Sequence, residues 1–168
     1  QKVQENILKK LPFELTSHQE KALSEINNGL NSKSRYNALI QGDVGSGKTV
    51  IAALAMAHVI GAGFQTCIMA PTEILAKQHF RKFSEWFTEL GFECRLLTGS
   101  TPASAKTRLL ADLHASRIQI LIGTHALISQ NVKFGKLGLV VIDEQHRFGV
   151  EQREALVSKG HKPDLLAM

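Results

Sequence analysis

The sequence predicts an α/β domain in which a mainly parallel sheet carries helices on both faces. Apolar runs of strand length alternate along the chain with longer segments whose apolar residues recur at helical spacing. This alternation is typical of strand–helix–strand units in a parallel sheet. The 168 residues contain no internal repeat, low-complexity stretch or linker, so residues 1–168 are interpreted as a single domain.

The first predicted helix extends from Ser17 to Leu30. Thr16 or Ser17 can cap it, and Glu20 suits the capping box that such a cap forms. The apolar residues at helical spacing, which predict the inner face of this helix, are Ala22, Leu23, Ile26 and Leu30.

The rest of the chain continues the alternation of strands and helices. Apolar runs predict buried strands at 36–40, 65–70, 92–97, 118–122, 139–142 and 164–168. Helical patterns lie at 48–60, 72–90 and 102–114. The helix at 48–60 is almost wholly apolar, which predicts burial on most of its sides. The helix at 72–90 carries a stripe that is typical of a protein core: Phe80, Phe83, Phe87 and Leu90.

The composition is that of an ordinary globular protein, with 43% hydrophobic and 21% charged residues. Twenty Lys and Arg against 15 Asp and Glu give a net charge of +5. A basic balance favours a polyanionic partner such as nucleic acid. The basic residues are scattered in pairs, as on a solvated surface, so charge alone does not identify the partner.

The two cysteines, Cys67 and Cys94, each lie next to apolar residues. They are expected to be buried thiols in a reducing compartment, neither disulfide-bonded nor bound to metal. No apolar run approaches the roughly 20 residues that cross a bilayer, and the amino terminus lacks the layout of a signal peptide. These features predict a soluble, cytoplasmic protein.

The segment at 42–49 reads GDVGSGKT and matches the pattern G-x-x-x-x-G-K-[ST] at every fixed position. It lies directly after a predicted strand and directly before a predicted helix, where consecutive backbone N–H groups can converge on a phosphate. Lys48 is expected to reach the β- and γ-phosphates, and Thr49 offers a hydroxyl to Mg²⁺. The predicted nucleotide-binding residues of this loop are Gly42, Asp43, Val44, Gly45, Ser46, Gly47, Lys48, Thr49 and Val50.

Two neighbouring carboxylates follow the predicted strand at 139–142. Asp143 emerges at the carboxyl edge of the sheet, where open α/β sheets bind ligands, and it can hold Mg²⁺. Glu144 can polarise the attacking water, because the metal and the loop already neutralise the phosphate charge. Together with Lys48, these residues predict a hydrolase and not only a nucleotide-binding protein.

The run Asp143-Glu144-Gln145-His146 is similar to motif II of superfamily 2 helicases, and the longer run at 140–150, VVIDEQHRFGV, resembles the RecG family. The resemblance covers essentially the whole chain, and the motifs occur in the order of that family. It implies a RecA-like P-loop NTPase that uses ATP and Mg²⁺ and acts on DNA. It also implies that His146 couples the nucleotide site to the DNA site.

Four further segments resemble motifs of the same superfamily. The segment at 11–19 resembles the Q motif, which implies that Gln19 recognises adenine and that Phe13 provides an apolar wall. Segments 70–76, 98–99 and 123–126 resemble motifs that hold the nucleic-acid backbone. Their hydroxyls and N–H groups suit phosphate oxygens without reading sequence. Each segment follows a predicted strand, and the implied DNA-binding residues are Pro71, Thr72, Thr98, Gly99, Thr124 and His125.

The chain is expected to be an excised piece of a longer protein, because it has no initiator Met and ends inside an apolar run. The resemblance implies that motif III, a second motor lobe with arginine fingers, and a wedge domain lie in the rest of that protein. The parent is then an ATP-dependent DNA helicase, expected to be a monomer, that remodels replication forks and branched DNA in recombination and repair. The piece alone is expected to bind nucleotide weakly and to have little turnover.

Two other interpretations stay open on the sequence alone. The first is the translocase module of a transcription-repair coupling factor, a related family that typically has an acidic residue where this chain has Gln145. The second is a P-loop nucleotide switch without motor activity. P-loop GTPases read guanine with Asn-Lys-x-Asp, which this sequence does not contain.

Overall fold

The computed structural model describes residues 2–40, 47–143 and 149–168. The strands of this part of the chain are Asn37–Leu39 (β1), Gln65–Met69 (β2), Cys94–Leu97 (β3), Ile120–Gly123 (β4), Leu137–Ile142 (β5) and Asp164–Ala167 (β6). The helices are Lys2–Lys10 (α1), Ser17–Leu30 (α2), Lys48–Gly61 (α3), Glu73–Phe87 (α4), Ala103–His114 (α5) and Val150–Val157 (α6). Short 3₁₀ turns lie at Thr88–Leu90 and His125–Ile128.

The strands form one six-stranded sheet in the order β1-β6-β5-β2-β4-β3. All neighbouring strands are parallel, which confirms the predicted fold class. Because parallel strands point the same way, the loops that follow them meet at one edge of the sheet, called the carboxyl edge from here on. Ligand sites of open α/β sheets lie at this edge.

Both faces of the sheet are covered, and the strand residues alternate between two cores. Leu139 and Val141 of β5 pack with residues of α1, α2, α3 and α4. Val140 and Ile142 of the same strand pack with residues of α5 and α6. A strand buried on both faces must be apolar at every position, which explains the continuous apolar runs of the sequence.

The predicted cores of α2, α3 and α4 are confirmed. Helix α2 has the predicted bounds, and helix α3 is buried along nearly its whole length. Phe83 and Phe87 of α4 are fully buried, with Phe80 and Leu90 packed partly against them. Both cysteines are buried as predicted, and burial raises the pKa of the Cys94 thiol to about 12.

Two helices were not predicted, α1 and α6. In α1, Ile7 is fully buried and Gln4 donates to the Asn27 side chain at 3.0 Å and to the Leu54 carbonyl at 2.9 Å. Such short helices owe their stability to tertiary packing more than to their own sequence. Within the described ranges, none of the helices combines the length and apolar character needed to cross a bilayer.

Candidate nucleotide and nucleic-acid site

Helix α3 begins at Lys48, directly after Gly47, and so ends the predicted phosphate loop in the expected way. Gly47 has φ +86°, a left-handed conformation that favours glycine. Lys48 and Thr49 therefore occupy the first turn of α3, where backbone N–H groups lack helical partners and the helix dipole favours anions. The side chain of Val50 is buried in the core. The other predicted loop residues, Gly42, Asp43, Val44, Gly45 and Ser46, lie outside the described residues.

Gln19, the predicted adenine-binding residue, lies directly against Gly47. Thr16 caps α2, since its Oγ1 accepts from the Gln19 backbone N–H at 3.1 Å, while Gln19 Oε1 accepts from the Thr16 N–H at 2.9 Å. The capping-box residue is thus Gln19 and not Glu20, because a cap at Thr16 makes Gln19 the third helical residue. The side-chain amide nitrogen of Gln19 faces Gly47, where an added Cβ would be 2.1 Å from it.

Phe13 lies in the same segment before α2, and its ring is 47% exposed. The structure thus leaves this apolar ring accessible, on the segment that also carries Thr16 and Gln19. An exposed aromatic ring is available to pack against a planar base. The apolar wall that the family resemblance implies at Phe13 stays a prediction.

Asp143 follows β5 directly, as predicted, and only 3% of it is exposed. Its backbone N–H donates to the carbonyl of Met69 at 2.9 Å, which extends the pairing of β5 with β2 to Asp143. The predicted water-polarising Glu144 and the predicted coupling residue His146 lie outside the described residues.

A buried histidine on α4 contacts this aspartate. His79 Nε2 lies 2.8 Å from Asp143 Oδ2, and His79 is itself only 9% exposed. A carboxylate only accepts hydrogen bonds, so the ring nitrogen donates. The sequence analysis missed this contact, although a polar residue within the inner stripe of α4 signals a buried partner.

The loop after β2 starts α4. Thr72 is the N-cap of α4, and its Oγ1 accepts from the Leu75 N–H at 3.2 Å. Thr72 is exposed and Pro71 is partly exposed. Both of these predicted DNA-binding residues therefore lie at the carboxyl edge and are accessible.

The loop after β3 folds on itself. The Thr98 N–H donates to Thr101 Oγ1 at 3.0 Å, and the hydroxyls of Thr98 and Ser100 are 3.1 Å apart. Thr98 is 5% exposed, whereas Gly99 and Ser100 are exposed. The loop therefore presents Gly99 and Ser100 to solvent while the Thr98 side chain shapes it from inside.

A hydrogen-bonded contact joins the loops after β2 and β3, although β4 separates these strands in the sheet. Glu73 Oε1 accepts from the Ser100 hydroxyl at 2.9 Å and from the Ser100 N–H at 3.3 Å. We call this contact the Glu73–Ser100 clasp. The side-chain hydrogen bond from Ser100 is the main reason that the pKa of Glu73 lies below its usual range.

The third predicted loop follows β4, the strand that lies between β2 and β3. Thr124 is 4% exposed, and its Oγ1 accepts from the Ala126 N–H at 3.4 Å. His125 is exposed. The strand approaches β3 closely here, because a Cβ on Gly123 would lie 2.1 Å from the carbonyl oxygen of Leu97.

The fold thus brings Gly47, Asp143 and the loops after β2, β3 and β4 to one edge of the sheet. Comparison with known proteins agrees with this layout, since residues 16–163 match the family of DEAD/DEAH box helicases. The chain belongs to this helicase family.

Individual helicases resemble the chain more closely. It is 51% identical over 167 residues to the ATP-dependent DNA helicase RecG of Thermotoga maritima, a match that covers 99% of this chain and 21% of that relative. It is 49% identical over 161 residues to the RecG of Bacillus subtilis, which covers 96% of this chain and 24% of the relative. The chain therefore spans about a fifth to a quarter of the length of these helicases.

One solved helicase structure also matches closely. It is RecG bound to a three-way DNA junction, with a TM-score of 0.89 and 47% identity, covering 99% of this chain and 22% of that chain. The helicase motifs in the sequence identify residues that directly follow the strands. Their partners on α4 and in the loop after β3, His79, Glu73 and Ser100, had no role assigned from the sequence.

Proposed function

We propose that this chain is the first motor lobe of an ATP-dependent DNA helicase or translocase. One observation carries the proposal. The loop glycine Gly47 with Lys48 and Thr49, and the carboxylate Asp143, lie at the same edge of a parallel sheet. Family membership and the likeness to helicases named RecG support it, and they favour a motor over a nucleotide switch.

ATP and Mg²⁺ are the proposed cofactors, and the described residues fit them. A left-handed glycine against Gln19 leaves no room for a side chain at position 47, as a backbone cradle for phosphates requires. Lys48 would hold the β- and γ-phosphates, and Gln19 and Phe13 would hold the adenine. The hydroxyl of Thr49 and the carboxylate of Asp143 are hard oxygen ligands of the kind that Mg²⁺ prefers. When bound, Mg²⁺ supplies neutralisation of the charge that develops on the phosphates.

Water activation is assigned to Glu144, the residue after Asp143 in the sequence. A positioned carboxylate accepts the proton of the attacking water as it adds to the γ-phosphate. His146 is proposed to report the nucleotide state to the DNA site. These two assignments rest on the sequence pattern, since both residues lie outside the described ranges.

DNA is the proposed polymeric partner, held through its backbone at the loops after β2, β3 and β4. The exposed residues Thr72, Gly99 and His125 and the partly exposed Pro71 would contact phosphates directly. Thr98 and Thr124 are buried, so they would act by shaping their loops and directing backbone N–H groups. Such contacts recognise DNA without reading its sequence.

The whole protein is proposed to act on forked or branched DNA, because the solved RecG structure is described as bound to a three-way DNA junction. A second motor lobe of the same protein is proposed to complete the ATPase. An arginine finger from such a lobe contributes about 10³- to 10⁵-fold to turnover. The 168-residue chain alone is therefore expected to hydrolyse ATP slowly.

The proposal is tested by separating ATP binding from ATP turnover in the full-length protein. Glu144→Gln should retain ATP binding but lose about 10²- to 10⁴-fold in turnover, because it removes the base and not the phosphate contacts. Lys48→Ala should weaken binding and also lower turnover, by about 10²-fold or more. Binding of a fluorescent ATP analogue and steady-state ATPase rates on forked DNA measure the two effects.

The matched control is Lys9→Ala, which removes an exposed lysine on α1 and should change neither quantity. Full turnover in Glu144→Gln would contradict the assignment of the base. A strong preference for GTP over ATP would contradict the motor interpretation as a whole. Turnover by the 168-residue chain close to that of the full-length protein would contradict the need for a second lobe.

A further inference from the structure

Helix α4 joins the two parts of the site through the interior of the molecule. Its N-cap, Thr72, stands at the carboxyl edge among the proposed DNA contacts. Seven residues further on, which is about two helical turns, His79 reaches Asp143 at 2.8 Å. One helix therefore has its first turn at the DNA edge and a later turn against the proposed metal ligand.

The position of His79 is fixed by packing. Its ring meets Phe83 edge-on, with centroids 6.3 Å apart and an interplanar angle of 80°. Ala76, Phe83 and Phe87 are fully buried against the sheet. A helix held along its length in this way moves as a rigid element, so a displacement of its first turn would also displace His79.

The chemistry of the pair argues against a purely structural role. Burying an imidazole and a carboxylate costs desolvation energy, and well-packed apolar residues of similar volume would avoid that cost. The hydrogen bond instead holds one oxygen of Asp143 and restricts rotation of its carboxyl group. Partners that orient a metal ligand in this way typically affect metal affinity or activity about 10- to 100-fold.

We propose that His79 is a positioning residue for Asp143, and that through this contact α4 couples DNA bound at the carboxyl edge to the magnesium-binding carboxylate. The inference rests on the proposed function, because it takes Asp143 as a magnesium ligand and Thr72 as a DNA contact. It adds a residue to the site and a physical route between its two parts. Neither depends on the residues outside the described ranges.

The test compares two replacements of His79 in the full-length protein. His79→Gln keeps an N–H donor at a similar reach, whereas His79→Leu keeps bulk and removes the donor. Binding of a fluorescent ATP analogue is titrated with Mg²⁺, and ATPase rates are measured with and without forked DNA. The matched controls are His58→Gln and His58→Leu. His58 is likewise a helical histidine that hydrogen-bonds a side chain, since its Nε2 lies 2.9 Å from Asn31 Oδ1.

For His79→Leu, nucleotide binding without Mg²⁺ should stay near that of the unmodified protein. The Mg²⁺ concentration for half-maximal binding should rise about 10- to 100-fold, and the stimulation of ATPase by DNA should fall. His79→Gln should recover most of both quantities. The His58 variants should behave like the unmodified protein, because their site is remote from Asp143 in the described contacts.

An unchanged Mg²⁺ midpoint in folded His79→Leu would overturn the positioning role. A shifted midpoint with full DNA stimulation would overturn the coupling through α4. If His79→Leu does not fold, His79→Asn replaces it, because the shorter Asn amide places its donor out of reach of Asp143. An unchanged Mg²⁺ midpoint in His79→Asn would likewise overturn the positioning role. Absence of Mg²⁺-dependent ATP binding in the unmodified protein would instead refute the proposed function.

Discussion

The carboxyl edge has a proposed nucleotide half, at Gly47, Lys48 and Asp143, and a proposed nucleic-acid half, in the loops after β2, β3 and β4. The threonines of the nucleic-acid half bond within two or three residues: Thr72 with Leu75, Thr98 with Thr101, and Thr124 with Ala126. In the nucleotide half the supporting partners are distant in sequence. Gln19 comes from α2 to meet Gly47, and His79 lies 64 residues from Asp143.

This difference separates local from tertiary control of the site. Loops that satisfy their own polar groups can keep their shape with little help from the rest of the fold. A nucleotide site assembled from distant elements depends on how those elements pack. Changes in α2 or α4 are therefore expected to alter ATP handling, whereas single changes inside the nucleic-acid loops should have smaller effects.

The largest effect is expected from Gly47→Ala. The new Cβ would lie 2.1 Å from the side-chain nitrogen of Gln19, and φ is +86°. We expect ATP affinity to fall about 10-fold or more, since a shifted first turn loses converging N–H groups. Titration with a fluorescent ATP analogue measures the loss. The double variant Gly47→Ala/Gln19→Ala should lose less affinity than the sum of the two single losses, because removing the Gln19 side chain relieves the clash. The backbone strain at position 47 and the loss of the proposed adenine contact stay.

The control for backbone strain is Gly91→Ala, at φ +88° with no atom within 4 Å of the added Cβ. It should lower the free energy of unfolding by about 1–2 kcal/mol and leave ATP affinity unchanged. If the losses from Gly47→Ala and Gln19→Ala simply add in the double variant, the contact between the two residues has no role in the nucleotide half.

The Glu73–Ser100 clasp is the long-range exception within the nucleic-acid half. Its removal should therefore have an effect of intermediate size on the ordering of the loop after β3. Glu73→Ala deletes one of the two acceptors of the Ser100 N–H, the other being Thr98 Oγ1 at 3.3 Å. We therefore expect exchange of that amide hydrogen to become faster without losing all of its protection. The lowered pKa of Glu73 gives the pH dependence. The stabilisation that the clasp gives to the loop after β3 is complete at pH values above the ordinary glutamate pKa. It is lost as the pH falls through the lowered pKa of Glu73.

Glu73→Gln is the matched variant, because it keeps an oxygen acceptor and removes the charge. It should retain most of the Ser100 protection and lose the pH dependence. Hydrogen exchange measured across neutral and acidic pH compares the three proteins. Equal Ser100 exchange in Glu73→Ala and the unmodified protein would show that the loop after β3 keeps its shape alone, which would make the nucleic-acid half wholly local.

The same distinction explains how far the sequence predicted the molecule. The strands and the helices α2 to α5 were predictable because their periodic apolar residues report burial directly. The positions of the residues directly after the strands were predictable because their motifs are local, while their roles stay predictions. Three features were not predictable: Gln19 as the capping partner, His79 and the clasp. The first depends on Thr16 being the cap that is used. The other two depend on β2 lying between β5 and β4 in the sheet.

The smallest effect is expected from Thr124→Val, although Thr124 is one of the proposed DNA-binding residues. Thr124 is 4% exposed, and its hydroxyl accepts one long hydrogen bond of 3.4 Å from Ala126. A residue so buried offers little surface to a phosphate, so DNA affinity should change less than about 2-fold, with a cost in stability of about 1 kcal/mol. Thr72→Val provides the contrast, because Thr72 is exposed and caps α4. It should reduce DNA affinity several-fold and also cost about 1 kcal/mol for the lost cap.

Fluorescence anisotropy with one forked duplex at fixed salt compares the two variants. Equal losses of affinity would mean that buried and exposed threonines serve DNA alike, and the local account of these loops would fail.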